Sequence, residues 1–459
     1  MSGRGRAVVV GASMAGLCTA RVLSDHFDEV VVLDRDSLPD ASTARGQVPQ
    51  GRHPHLLLVA GARLLEDWFP GIVAELEAGG ATDVDLCADF YWHQGGGLAR
   101  RPSTPLRGPA MSRPFLERSV RARVATLANV VVRPATAVEG LEVSSDRGWG
   151  RVEAARLAGG EVVPCALVVD ATGRQARSLA WLEAAGYEAP ETSMVEVDTR
   201  YVTRTYRRGE VPLRDWKAAA VIDDPATKRL AMVLPVEGGR WLLLFGGLNG
   251  ESPPVDEVEA LAYARSLPSP VIADVMEGSE LIAGPVTHRF PANQRRHVER
   301  LRRFPLGWVL VGDAICSFDP IYGQGMTSAA MQAAALGMGL ERSPAIDRRF
   351  TRRYFRAASR VVATPWSIAV GGDFAYPGTT GKKPTGTDLV NRYMNRVTVA
   401  AQHDDAVALR LNEVISLVRR PESLMAPRFV AKVLRAARRG PVGEPAATGA
   451  SSSSARVSG

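Results

Sequence analysis

At 459 residues the chain is too long for one ordinary compact domain, so two interleaved or successive domains are expected. Its 46% hydrophobic and 23% charged residues are the balance of a globular protein and exclude a fibrous or wholly disordered one. The net charge of +7 does not select nucleic acid as a partner, because the 56 basic residues are scattered and no nucleic-acid motif accompanies them; a positive field that gathers anionic cofactors is the milder reading.

The chain begins with a short β-rich run, Ala7 to Val10, that meets the turn Gly11-Ala12-Ser13-Met14-Ala15-Gly16. Leu17 to Ser24 then reads as helix and Glu29 to Asp34 as a second buried strand, which makes one β-turn-α-β unit. Arg4 and Arg6 ahead of this run imitate the start of a secretory signal, but Ser13, Arg21, Ser24 and Asp25 break the apolar stretch. Ser37 to Pro54, rich in Pro, Gly and Arg, is longer than a connector needs and reads as a functional loop. Arg113 to Leu127 reads as helix, and Val130 to Arg133, Val152 to Leu157 and Val162 to Asp170 read as strands. Longer β-type runs follow at Val195 to Tyr206, Ala218 to Ile222 and Leu230 to Leu248, the last interrupted by Glu237-Gly238-Gly239, and suggest an antiparallel sheet. Trp308 to Val311 returns to the short buried type, and Met326 to Leu340 is a helix rich in Ala and Met.

The expected fold class is therefore α/β with α+β elements: a Rossmann-type cofactor domain, an interleaved antiparallel-sheet substrate domain and C-terminal helices. The expected boundaries are 1–190 for the first part of the cofactor domain, with an inserted loop 37–110, then 191–290 for the antiparallel sheet and 291–345 for the return of the cofactor domain. A helical region 346–439 and a disordered tail 440–459 without aromatic residues complete the chain. No stretch of 18 apolar residues suggests a membrane span. Cys18, Cys87, Cys165 and Cys316 form no C-x-x-C or zinc spacing, which fits a reduced, cytoplasmic setting.

Gly11-x-Ser13-x-x-Gly16 is the dinucleotide fingerprint with serine in place of the middle glycine. Small residues there let the backbone approach a pyrophosphate, whose charge the helix N-terminus stabilises, and Ser13 can offer its hydroxyl as well. Asp34 ends the next strand where an acidic side chain takes ribose hydroxyls. An ordinary strand-helix turn is the plain alternative for the turn alone. A second signal is Gly312-Asp313 after a buried strand, followed by Asp319-Pro320-Ile321-Tyr322-Gly323-Gln324-Gly325-Met326 and a helix. It places a carboxylate at a strand's C-terminal edge and a helix N-terminus where negative charge can be held. A Gly-rich helix cap would explain the loop but not Asp313.

With these segments, together with Val48-Pro49-Gln50-Gly51-Arg52-His53-Pro54-His55 and Asp170-Ala171-Thr172-Gly173-Arg174, the chain resembles the flavoprotein monooxygenases of the para-hydroxybenzoate-hydroxylase fold. It is most similar to the flavin-dependent epoxidases that act on polyene precursors of polyether antibiotics. The resemblance implies FAD as cofactor, with Gly11, Ser13, Met14, Ala15 and Gly16 at the pyrophosphate, Asp34 and Arg35 at the adenosine end, Asp313 at the ribityl chain, and Arg113 as an additional FAD-binding arginine. Gly323, Gln324, Gly325 and Met326 would lie beside the ring. The family more often has glutamate where this chain has Asp34.

It also implies NAD(P)H as the electron source, direct or through a separate flavin reductase, and an apolar small molecule and O2 as the partners of the reaction. Oxygen would be transferred from a flavin C4a-hydroperoxide to a carbon-carbon double bond of a polyketide-like precursor, chemistry that belongs to the flavin and requires no certain catalytic side chain. An aromatic hydroxylase would benefit from a phenol-deprotonating base, for which the sequence offers no clear candidate. A geranylgeranyl-reductase-like double-bond reductase shares the same marks, and a binding protein that keeps the fold without turnover is the non-enzyme alternative.

His53, His55 and Tyr322 are candidates for the substrate cavity. The histidine pair, spaced i, i+2 with no other clustered ligand, is short of a metal donor set, so no metal is expected. Trp92, Trp241, Trp366 and Tyr201 suit either a cavity lining or ordinary core.

Overall fold

The computed structural model describes residues 4–39, 45, 49–144, 149–209 and 215–443. Val48 of the loop motif and residues 444–459 of the expected tail lie outside them. The elements that position the site are labelled in chain order. Strands β1 (Arg6–Val10) and β2 (Glu29–Leu33) flank helix α1 (Met14–Ser24). After β3 (Phe90–His93) come α2 (Arg113–Ala125), β4 (Val130–Arg133) and β5 (Leu167–Asp170). These give a five-stranded parallel sheet in the order β11-β5-β1-β2-β4, where β11 is Trp308–Leu310. Its strands are nearly continuous apolar runs because both faces are covered, with helix α1 against β1 and β2 and a small sheet that includes Val152–Leu157 against β5, and Val8, Val30 and Val168 are fully buried.

The expected single strand Val162 to Asp170 is two strands. Val162–Pro164 belongs to a small three-stranded sheet, and only Leu167–Asp170 enters the parallel one. Pro164 ends the first, since proline cannot donate to a continuing ladder.

The second sheet has eight strands: β6 (Thr192–Arg207), β7 (Ala218–Ile222), β8 (Arg229–Val236), β9 (Arg240–Gly247), β10 (Glu280–Arg296) and β12 (Cys316–Ser317) join β3 in the order β12-β10-β6-β9-β8-β7-β3, and Thr380–Gly381 pairs with β6 outside that path. Alternation assigns its faces. Ala219, Val221, Ala231, Leu243 and Phe245 pack with Trp216 and Trp241 against helices Glu257–Arg265 and Val271–Glu277, whereas Ala220, Met232 and Leu244 face a cavity on the other side. The edge pairing of β3 with β7 is parallel.

Helices α3 (Gly325–Glu341), α4 (Arg348–Asp373), α5 (Thr387–Ala401), α6 (Asp405–Ile415) and α7 (Pro427–Ala437) complete the molecule. The fold is the expected one: a Rossmann-type parallel sheet, an interleaved antiparallel sheet and C-terminal helices. No helix among the described residues is long and apolar enough to cross a membrane.

Candidate functional site

One cavity of about 1240 Å³ runs from the turn after β1 to the inner face of the antiparallel sheet. At its first end the chain reverses at Gly11 with φ +107°, where an added Cβ would stand 2.7 Å from the carbonyl oxygen of Ala171. Gly16 is equally compelled, because its Cβ would stand 1.8 Å from the carbonyl oxygen of Gly11. Ser13 precedes α1 without a side-chain cap, which leaves the first N–H groups of this helix for an anion. Ser13, Met14 and Ala15 line the cavity there.

The Ser13 hydroxyl is not free for phosphate as expected: it donates to Glu117 Oε1 at 2.5 Å and accepts from Arg113 Nη2 at 2.9 Å. Both partners belong to a buried ionic network. Arg113 also meets Glu117 at 2.9 Å, one turn along α2, and Arg45 bridges Glu117 at 3.0 Å and Asp34 at 3.2 Å. Burial pushes the Glu117 carboxyl up, but Arg113 and Arg45 outweigh it and hold the group below its usual range. Burial and the neighbouring Asp34 raise Asp36. Asp34 receives the Ala12 N–H at 2.6 Å and the Asp36 N–H at 2.8 Å. It therefore fixes the turn as well as facing the cavity, beside exposed Arg35. Arg45 and Glu117 were not foreseen, although an Arg-Glu pair at i, i+4 on a helix was a signal for the second.

Midway along the cavity Asp313 follows β11. Gly312, at φ +70°, lets this turn approach α1, since its Cβ would stand 2.8 Å from Ala15 Cβ. Burial raises the Asp313 carboxyl against the pull of Arg113, Arg174 and Arg296. Gly323 and Gly325 present bare backbone, and a Cβ on either would meet nothing within 4 Å. Gln324, 1% exposed, spends its amide N–H on Ile415 O at 3.2 Å and leaves Oε1 without a partner. Met326 begins the buried side of α3 and lines the cavity. The structure thus brings Gly11, Ser13, Met14, Ala15, Asp34, Arg35, Arg113, Asp313 and Gly323 to Met326 to one elongated wall, with Gly16 packed behind Gly11.

The far end is apolar, lined by Phe90, Trp92, Met232, Leu244, Ile368 and Met394. Trp92 and Tyr201 belong to the lining, whereas Trp241 and Trp366 are core residues. Polar groups interrupt this wall at few places. His53, 5% exposed, pairs through Nδ1 with Thr203 Oγ1 at 2.8 Å, and its Nε2 has no partner. Its ring centroid is 5.5 Å from that of His288 and 6.0 Å from that of Tyr201. Burial, then His288 and Arg52, lowers its pKa to about 4, and burial, then Arg113, lowers that of His55 to about 3, so both rings are neutral at pH 7. His55 Nδ1 lies 2.8 Å from the carbonyl oxygen of His53, which can only accept, so that nitrogen carries the proton. Among the described residues no three His, Cys, Asp or Glu side chains gather as a metal site.

Two carboxylates that the sequence reading gave no role stand behind the wall. Asp319 and Asp373 are fully buried. Tyr201 donates to Asp319 Oδ1 at 2.5 Å, Thr199 donates to its other oxygen, and the Ile321 N–H adds a third bond at 3.1 Å. Asp373 contacts the Tyr322 hydroxyl at 2.9 Å through Oδ1 and receives Asn293 Nδ2 at 2.6 Å on Oδ2. Tyr201 and Tyr322 line the cavity.

No protein-family model matches the chain. It is 34% identical over 389 residues to protein Rv3254 of Mycobacterium tuberculosis, covering 82% of this chain and 81% of that one. Among solved structures it is similar to PqsL of Pseudomonas aeruginosa, a probable FAD-dependent monooxygenase, with a TM-score of 0.59 and 18% identity over 81% of this chain and 98% of that one. A triple mutant of the flavin-dependent brominase Bmp2 gives a TM-score of 0.63 at 13% identity over 94% and 99% of the two chains. Oxygenation and bromination on one scaffold show that the fold alone does not choose the chemistry. At one-third identity across four-fifths of both sequences, the chain belongs to the family of the mycobacterial protein Rv3254, built on the para-hydroxybenzoate-hydroxylase-like fold of the FAD-dependent monooxygenases.

Proposed function

We propose that this protein is an FAD-dependent monooxygenase that epoxidises a carbon-carbon double bond of a largely apolar, polyketide-like molecule. The observation that carries the reading is the continuity of one cavity from a dinucleotide cradle to an apolar chamber. The cradle fits FAD. Gly11 and Gly16 admit only bare backbone, the N-terminus of α1 suits a diphosphate, and Asp34 and Arg35 suit the adenosine end. Asp313 suits the ribityl chain, and the unpartnered Gln324 Oε1 beside the open Gly323 and Gly325 suits the N–H edge of a flavin ring.

Bound there and reduced, FAD supplies the activation of O2, with NAD(P)H as electron source directly or through a flavin reductase. The chain's own part is to hold the ring on the loop 320–326, keep water out with the sheet face and α4 to α6, and place the substrate's double bond opposite Gly323 to Gly325. The N-terminus of α3 stabilises negative charge on the reduced ring.

An aromatic hydroxylase is the second reading. It is favoured by Tyr201 hydrogen-bonded to buried Asp319, a pair able to handle a phenol proton that sequence reasoning lacked. Incubation with conjugated polyenes or phenols, NADPH, a flavin reductase and labelled O2 separates the readings by mass spectrometry. One labelled oxygen per polyene product is expected. Label entering only phenols promotes the hydroxylase, and a product that gains two hydrogens identifies a double-bond reductase.

A further inference from the structure

Asp319 and Asp373 share a pocket of protein that holds no Arg, Lys or His bonded to either, so two negative charges there would be uncompensated. Two buried like charges cannot both stay ionised, and one proton must reside on the pair. Burial raises the Asp319 carboxyl too, but its three donors, Thr199, Tyr201 and Ile321, pull the other way and favour the anion there over Asp373. Asp373 has fewer donors and is the last residue of the 26-residue helix α4, at the negative end of its dipole. The groups facing it are Asp319, Tyr322, Tyr376 and Asn293, none of them cationic. Burial and Asp319 drive its pKa well above the carboxylate range.

The position of that proton follows from the amide. Asn293 Oδ1 takes the Asp319 N–H at 2.7 Å, which fixes Nδ2 as the donor to Asp373 Oδ2. The remaining oxygen, Oδ1, faces the Tyr322 hydroxyl. The Tyr322 hydroxyl donates to Oδ1 when Asp373 is a carboxylate; with the proton on Oδ1 this bond reverses, Asp373 donates to Tyr322 Oη, and the phenol proton is free for a ligand in the cavity that Tyr322 lines. Gly372 makes this approach possible, because a Cβ there would stand 2.2 Å from Tyr322 Oη. Independently, His53, whose buried Nε2 has no partner, lines the same cavity.

We propose that Tyr322 is a general acid of this cavity and that Asp373, behind the wall, recharges it. Tyr322 gives its phenolic proton to an oxygen of the bound molecule that carries or develops negative charge, and the Asp373 carboxyl proton moves to Tyr322 Oη in the same step. One O–H bond breaks and one forms at each transfer, no electrons change hands, and Asp373 is left as carboxylate. Repulsion from Asp319 then draws a replacement proton from water when product leaves. This inference rests on the oxygenase reading only in supplying a substrate that bears or acquires oxygen.

The test uses the FAD-loaded full chain and two near-isosteric variants, Asp373→Asn and Tyr322→Phe. Infrared spectra in H2O and D2O at neutral pH should show a protonated-carboxyl stretch, sensitive to deuterium, in the wild type and not in Asp373→Asn. With a conjugated polyene that accepts labelled oxygen and itself carries a carboxylate or enolisable carbonyl oxygen, kcat should fall about a hundredfold in each variant and no further in the double variant. KM, FAD affinity and melting temperature should change little, because asparagine keeps both hydrogen bonds of Asp373 while being unable to give up a proton. Absence of the band at neutral pH, or its survival in Asp373→Asn, overturns the proposal whatever the turnover. Full turnover in Asp373→Asn overturns it too, leaving a structural role alone. If the band behaves as expected while no label enters any product, it is the oxygenase reading that falls, and Asp373 stands as a neutral acid.

Discussion

Asp34 has two duties, and its substitution separates them. Its carboxylate holds the Ala12 and Asp36 N–H groups and Arg45 while lining the adenosine end of the cavity. Asp34→Asn keeps the shape, loses the charge and turns an NH2 against one of the two backbone N–H groups, so FAD affinity should fall about tenfold or more, the loss of at least roughly 1.5 kcal/mol expected for a charged hydrogen bond. FMN, which lacks the adenosine, should bind more weakly than FAD and be unaffected by the change. Flavin fluorescence titrations check this, and equal losses for the two flavins would contradict the adenosine assignment.

His53 makes the folded state pH-sensitive. Its pKa is about 4 when folded and near 6.5 when unfolded, so between these values the unfolded chain binds a proton that the folded one refuses. Its contribution to stability is complete above about pH 6.5 and is lost as pH falls toward 4, at roughly 1.4 kcal/mol per unit of difference. His55 acts with the same sign down to about 3. Thermal melts across this range should show a shallower decline for His53→Gln than for the wild type, and parallel curves would refute the account. At this scale the cofactor turn was legible because its glycines are dictated locally. Arg45, Asp319, Asp373 and His288 were not, because each takes its meaning from residues far along the chain.

At the scale of elements, two helix caps differ in what they hold. Asp347 accepts only the Phe350 N–H of its own helix at 2.8 Å, so Asp347→Ala should cost about 1 kcal/mol. Ser112 caps α2 through the Phe115 N–H at 3.3 Å and also donates at 2.6 Å to Glu237 in the β8–β9 hairpin. Ser112→Ala should cost more, about 2 kcal/mol, because it also removes one of the two donors to Glu237 Oε1, leaving Arg240 Nη2 at 3.1 Å. Urea unfolding measures both, and equal costs would show that the bridge to Glu237 contributes nothing. The strands with local apolar periodicity were readable from sequence. The 17-residue strand β10 was missed because Gly284-Pro285 and Pro291 look like breaks. It lies toward the edge of its sheet, where proline is tolerated, and its register with β6 shifts between Thr203 and Thr205, opposite that Gly-Pro pair. The four residues of β3 are too short to announce a strand.

For the whole molecule, cohesion comes from buried apolar layers and ionic networks, and all four cysteines are free. With no three-ligand group among the described residues, chelator treatment should leave the melting temperature and flavin loading unchanged. Stoichiometric zinc or iron on elemental analysis would require a new role for His53 and His55. The division into a parallel sheet, an antiparallel sheet and terminal helices followed from the order of predicted runs. That the terminal helices also line the cavity was not visible, since the inward sides of α4 to α6 carry no motif.

The parallel pairing of β3 with β7, and of β11 with β5, sets the order of events during synthesis. While the ribosome has delivered only the first 200 residues, β3 has no neighbour in its sheet, and β5 keeps an open edge until residues 308–310 emerge. Such long-range partnerships slow folding, because the entropy of closing large loops is lost before the strands make contact. The nascent chain therefore carries two unfinished sheets at once. Its window of exposure to aggregation should close only when the segment after residue 310 leaves the exit tunnel, and ribosome-stalled chains shorter than this should depend on chaperones for solubility.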